Sequence, residues 1–166
     1  MRKTPQEFRR ENVKELFEKV LKNQKTKLEP LKISVDETWE SDFTTVDVLI
    51  LYSKGDEKRE INIRESQAKG FVDGVFKGCH NSFIQDTPSL SNIKLVDYRL
   101  TPSFKNVKDK TGSDASVEVS IMMEVKDHGL AEFSSSSRSI LYSSMAATLE
   151  AFEFYINCED TFRKIK

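Results

Sequence analysis

"KGFVDGVFKG", residues 69–78, puts three glycines into ten positions, yet its apolar residues keep helical spacing. Val72, Val75, Phe76 and then Cys79 fall on one helical face, although each interior glycine costs about 1 kcal/mol relative to alanine. A helix that carries this cost needs side chains to be absent. The expectation is that Gly70 serves the turn into the helix, while Gly74 and Gly78 permit close packing against a strand or a second chain.

The flanking sequence supplies strands. "LKISVDETWES" (31–41) alternates Leu31, Ile33 and Val35, and "TTVDVLILYSKG" (44–55) is dense in β-branched residues before a turn at Lys54, Gly55 and Asp56. "REINIRES" (59–66) leads into the glycine stretch, and the helix that follows stops before Asp86, Thr87 and Pro88. Downstream, "NIKLVDYRLT" (92–101) and "DASVEVSIMMEVKDHG" (114–129) read as strands. "AEFSSSS" (131–137) reads as a bridge to a helix striped by Leu141, Met145, Leu149, Phe152 and Ile156, with Ser137 as its N-cap. The order repeats after roughly 65–70 residues with little residue identity. The predicted class is α+β: two β-β-α units forming a sheet with helices on one face. The other sheet face, including Met122 or Met123, and the spare side of the last helix are expected to meet a partner chain.

Before these units stands an N-terminal amphipathic helix. Thr4, Pro5, Gln6 and Glu7 make a capping box with proline at the first helical position, and Phe8, Val13, Leu16, Phe17, Val20 and Leu21 form the apolar stripe. The expected organisation is a helix and linker over 1–26 and one domain over 27–166.

Composition narrows the function. The 166 residues carry 26 Lys and Arg against 27 Asp and Glu, a net charge of −1, which argues against a nucleic-acid partner. No apolar run approaches the roughly 18 residues needed to span a bilayer, and no signal peptide opens the chain, so a cytoplasmic protein without membrane partners is expected. Cys79 and Cys158 lack C-x-x-C spacing and read as reduced thiols, Cys79 within the core. His80 and His128 stand apart, without metal-ligand spacing. No Walker loop, nucleophile elbow or dinucleotide fingerprint is present. The reading is therefore no catalytic residues, no metal and no cofactor.

Four segments taken in order are nevertheless distinctive: "KGFVDGVFKG", "KLVDYRL" (94–100), "GSDASVEVSIMMEV" (112–125) and "SRSILYSSMAATLEAFEFYI" (137–156). Together they resemble the C-terminal allosteric, dimerising domain of the 2-isopropylmalate synthase and citramalate synthase family. The matching family motifs are a G-N-G-P-V-D-A turn into a helix, an L-x-D-Y strand, a G-x-D-A strand start and a helix opening near S-x-(N or D)-I-I-E-A-S. The resemblance covers roughly residues 27–157.

The resemblance implies a homodimer that binds leucine or isoleucine as a feedback effector at the dimer interface, within branched-chain amino acid biosynthesis. The family's acyltransferase activity resides in a metal-dependent (β/α)8 barrel, which this sequence does not contain, so a synthase catalytic domain would act in cis or in trans. Carried over by position, the effector contacts are Ala68, Lys69, Gly70, Val72 and Asp73 at the glycine turn. The strands add Leu95, Tyr98, Ala115 and Val117, and the last helix adds Ile140. Ala68, Lys69 and Phe71 replace the family's glycine, asparagine and proline. Lys69 thus sets a cation where the family has a neutral acceptor for the ligand's ammonium, unless it pairs with the ligand's carboxylate and reverses the effector. The alternatives are a structural dimerisation domain without a ligand and a protein-interaction adaptor.

Overall fold

The structure, a computed structural model, describes the backbone of residues 5–103 and 116–166 and the side chains of 10–102 and 116–166. A helix, α1 (Pro5–Val20), and a 3-10 turn (Lys22–Gln24) precede strands β1 (Thr26–Glu37), β2 (Thr44–Lys54) and β3 (Glu57–Ala68). Helix α2 (Phe71–Phe83) and a second 3-10 turn (Pro88–Asn92) lead to β4 (Ile93–Ser103), β5 (Ser116–Val125) and β6 (Gly129–Ser137). Helix α3 (Ile140–Ile165) closes the described chain. The α+β class is as expected. The strands form two antiparallel sheets, β1-β2-β3 and β4-β5-β6, where the sequence reading had a single sheet.

That reading also undercounted the strands between α2 and α3. Residues 129–137 are not a bridge but strand β6, paired with β5 from Val125 and Gly129 to Val117 and Ser137. Phe133 faces the core at 1% exposure, Ala131 and Ser135 are half-buried, and the serines between are exposed. Ser139, not Ser137, caps α3: its Oγ accepts from the Tyr142 amide at 3.2 Å. Ser137 sits two residues earlier, accepting from the Ser139 amide at 3.1 Å.

Alternation sets the buried faces. In β2 Thr44, Val46, Val48, Ile50 and Tyr52 are buried and the residues between them half-buried. In β5 Val119, Ile121 and Met123 are buried, and Met122 turns to the opposite face beside Glu118, Ser120 and Glu124. That outer face is therefore largely polar. The first strand of each sheet contains a bulge. The register skips Leu31 between Pro30 and Lys32 in β1, and Val96 between Leu95 and Asp97 in β4. An extra residue reverses the phase of alternation. Leu31 and Val96 consequently stand 49% and 47% exposed, while Leu28 and Ile93 before the bulges are buried.

The glycine-rich helix answers its own question. A Cβ on Gly74 would lie 2.6 Å from Val46 Cγ2, and one on Gly78 would lie 2.2 Å from Ile63 Cγ2. Both glycines let α2 lie on β2 and β3 of its own sheet. Gly70 carries no such requirement: its φ of 162° is extended, and a Cβ there meets nothing within 4 Å.

Helix α3 packs on β1 of the first sheet, on β5 and β6 of the second and on both other helices. Its buried stripe is rich in small residues, Ser143, Ser144, Ala147, Thr148 and Ala151, which permit close approach. Two of the hydroxyls are satisfied within the helix, Ser144 Oγ donating to the Ile140 carbonyl at 2.7 Å and Thr148 Oγ1 to that of Ser144 at 2.8 Å. Phe152 meets Phe76 and Phe83 of α2 at centroid distances of 5.4 and 6.5 Å. Asn157 accepts from the Thr26 amide at 2.8 Å and donates to the Thr26 carbonyl at 2.9 Å, pinning the start of β1.

Helix α1 lies against α3, with Phe17 and Leu21 buried, Val13 and Val20 half-buried and Leu16 exposed. Arg10 donates to the Glu132 carbonyl and stands 5.0 Å from the centroid of the Phe133 ring. Thr4 and the side chains of Gln6, Glu7 and Phe8 lie outside the described residues. Among the described residues no helix is long and apolar enough to cross a membrane.

Candidate functional site

Nine of the ten residues carried over from the family motifs are described, and they fall into two groups. The first is the turn from β3 into α2. Ala68 ends β3 and is fully buried, Lys69 is exposed, and Gly70 and Val72 are half-buried. Asp73, in the first turn of α2, accepts from the Lys69 amide at 3.0 Å and pairs with Lys77 at 2.8 Å, one turn on. Burial opposes ionisation of Asp73, but the Lys77 ammonium and the Lys69 amide outweigh it and hold its carboxyl below the usual value. A carboxylate belonging to the chain thus takes the Lys69 amide.

The second group is spread along β4 and β5 towards the start of α3. Leu95 and Tyr98 in β4 stand opposite Met123 and Ile121, and Val117 in β5 stands between Pro102 and Ser137. All three are half-buried. The Tyr98 hydroxyl lies 3.0 Å from Ser144 Oγ, which in turn donates to the carbonyl of Ile140. Tyr98 and Ile140 are so brought together through Ser144, a residue the motif comparison did not single out. Ala115 lies outside the described residues. No hydrogen bond or ion pair among the described residues joins this group to the first.

Lys69 lines a cavity of about 380 Å³ with the loop between β1 and β2. Glu37 and Asp42 bring carboxylates to it, and Trp39 and Phe43 bring aromatic surface. Glu37 also accepts from Thr44 Oγ1 at 3.0 Å. Trp39 is wholly exposed and Phe43 is 49% exposed. A cation, two carboxylates and apolar rings around one space can meet both ends of a zwitterion. The sequence reading missed this loop; its signal is an isolated tryptophan between acidic residues in a polar hairpin connection.

A larger cleft, of about 450 Å³, lies between the β2-β3 hairpin and the end of α3, over Tyr52 and Phe83. Its cations are already matched. Lys54 pairs with Asp160 at 2.7 Å, and Arg59 stands 4.8 Å from the centroid of the Tyr52 ring and 3.5 Å from Glu57. Arg163 pairs with Glu159 and donates to the Asp86 carbonyl at 3.1 Å. Burial would raise the Glu159 carboxyl, but hydrogen bonds from Ser89 and the charge of Arg163 hold it below its usual value.

Nucleophilic chemistry finds little support. Cys79 is fully buried and Cys158 partly so, both are free, and burial pushes each thiol up to about 12. Among the described residues no three His, Cys, Asp or Glu side chains gather as a metal site. Comparison with known proteins finds no family model and no curated relative that matches this chain.

Proposed function

We propose that this chain is a regulatory module that binds a branched-chain amino acid, leucine or isoleucine, and pairs with a second copy of itself. It would control a synthase catalytic domain in cis or in trans. The observation that carries the reading is the cavity at the entrance to α2, which Lys69 lines together with Glu37, Asp42, Phe43 and Trp39. In this arrangement the effector's carboxylate turns to Lys69 and its ammonium to the two acids. The cation that departs from the family pattern becomes a ligand contact. Pockets of this size suit small molecules and combine apolar walls with a few placed polar groups.

Pairing has a separate basis. Ile140, Leu141 and Tyr142 at the start of α3 are 47%, 39% and 47% exposed, and Leu100, on the face of β4 that carries Tyr98, is 45% exposed. Apolar groups gathered in this way favour burial against another surface. A second copy presents the same patch and so meets it symmetrically.

Calorimetry with leucine, isoleucine and valine tests the effector site. Lys69→Asn should weaken binding about tenfold by removing the carboxylate's partner. A gain in affinity would return the effector to the family orientation, and absence of binding by either protein would leave a structural dimerisation domain.

A further inference from the structure

A third cavity, of about 350 Å³, lies where α1, the start of β1 and the middle of α3 meet. Its chemistry differs from that of the Lys69 cavity. Phe17 of α1 and Phe154 of α3 wall it, their ring centroids 5.5 Å apart and their planes inclined at 59°. Thr26, held by Asn157, contributes to the lining together with three lysines, Lys14, Lys25 and Lys27, and three glutamates, Glu18, Glu150 and Glu153.

The charges are not evenly satisfied. Lys14 pairs with Glu150 at 2.9 Å, and Lys25 pairs with Glu18. Glu153 has no cation at ion-pair distance among the described residues, although it lies partly buried in α3. One of its oxygens, Oε2, accepts from the Leu28 amide at 3.1 Å. Burial raises its carboxyl above the usual value; the Leu28 amide and the more distant Lys14 and Lys27 oppose this, and Glu150 adds to it. A partly desolvated carboxylate with one oxygen uncommitted attracts a cation of its own.

We infer that this cavity is a binding site for a small primary ammonium compound with an apolar body, its ammonium on the free oxygen of Glu153 and its body against the paired rings of Phe17 and Phe154. The pairing of a carboxylate with aromatic surface is the chemistry that holds ammonium groups, through a charge-assisted hydrogen bond at one point and ring electrostatics at another. The paired lysines do not compete for Glu153, because Glu18 and Glu150 already engage them. Lys27 lines the cavity too and has no ion-pair partner among the described residues, so a carboxylate on the same ligand would find a counterpart there. The site lies apart from the turn into α2 and shares no lining residue with the Lys69 cavity.

The test is titration of the full chain with 2-phenylethylamine, followed by amide NMR. The amine should shift the Thr26, Leu28 and Phe154 resonances saturably. 2-Phenylethanol, which keeps the body and lacks the charge, should bind at least tenfold more weakly. Glu153→Gln keeps an acceptor for the Leu28 amide and should lose the amine at least tenfold, whereas Lys69→Asn should leave its affinity unchanged and so separate this site from the proposed effector site. Phenylalanine shares the body and adds a carboxylate. Tighter binding of phenylalanine that Lys27→Ala abolishes would identify a zwitterion as the ligand, and equal binding would identify a simple amine. Saturable shifts absent from these residues, or equal affinity for the amine in Glu153→Gln, or equal affinity for amine and alcohol, would overturn the inference.

Discussion

The two helices that follow a three-stranded sheet reach their close packing by opposite means. Helix α2 has 13 residues and rests on its own sheet, where Gly74 and Gly78 remove the side chains that would strike Val46 and Ile63. Helix α3 has 26 residues and lies across both sheets, with serine, threonine and alanine in its buried stripe and Phe152 projecting to α2. Glycine gives proximity at one contact and weakens the helix that uses it. Small hydroxyl residues give proximity while returning their hydrogen bonds to the helix, so proximity can be kept along a longer element. The first unit is thus finished locally and the second is finished by spanning the molecule.

Removing Phe152 should break this contrast most severely. Phe152→Ala empties the contact with Phe76 and Phe83 and should cost about 3–5 kcal/mol in a denaturant titration. Amide exchange should then accelerate in both units, because α3 joins them. Gly78→Ala should cost less, about 1–3 kcal/mol for the forced contact with Ile63, offset by up to about 1 kcal/mol of helix propensity. Faster exchange should here be confined to α2, β2 and β3. Gly70→Ala supplies the control, and with open space around its Cβ the midpoint should move by no more than about 0.5 kcal/mol.

The same contrast explains what could be read in advance. Gly74 and Gly78 announced themselves, since glycine within an apolar helical stripe has few explanations other than contact. Strand β6 did not, because its serines disguise a period-two pattern expressed by Ala131, Phe133, Ser135 and Ser137. The bulges had a fainter signal: Leu28 and Ile33 are an odd number of residues apart, yet Leu28 is buried and Ile33 packs against the core. The link from Asn157 to Thr26 joins distant parts of the chain, and its only trace in the sequence is an amide within an apolar helix. At the candidate site, Lys69 stood out as a departure from a motif. Its neighbours Glu37, at the end of β1, and Asp42, in the loop that follows, are brought near only by the fold.

A smaller loss sharpens the account of how α2 begins. Asp73 serves α2 through the Lys69 amide and Lys77, and Asp73→Asn should cost about 0.3–1 kcal/mol at neutral pH. Its folded carboxyl lies below the ordinary 3.8, so this contribution is present above that value and fades as pH falls through the lowered one. Thermal midpoints of the two proteins should accordingly converge in acid.

Sedimentation equilibrium at tens of micromolar, a concentration at which a standard-size interface is largely occupied, tests the proposed pairing most directly. The wild-type chain should sediment as a dimer. Ile140→Glu places a charge on the exposed first turn of α3, where an acidic residue suits the helix N-terminus, so the fold should persist while the dimer dissociates. A wild-type chain that remains monomeric throughout this range would contradict the account.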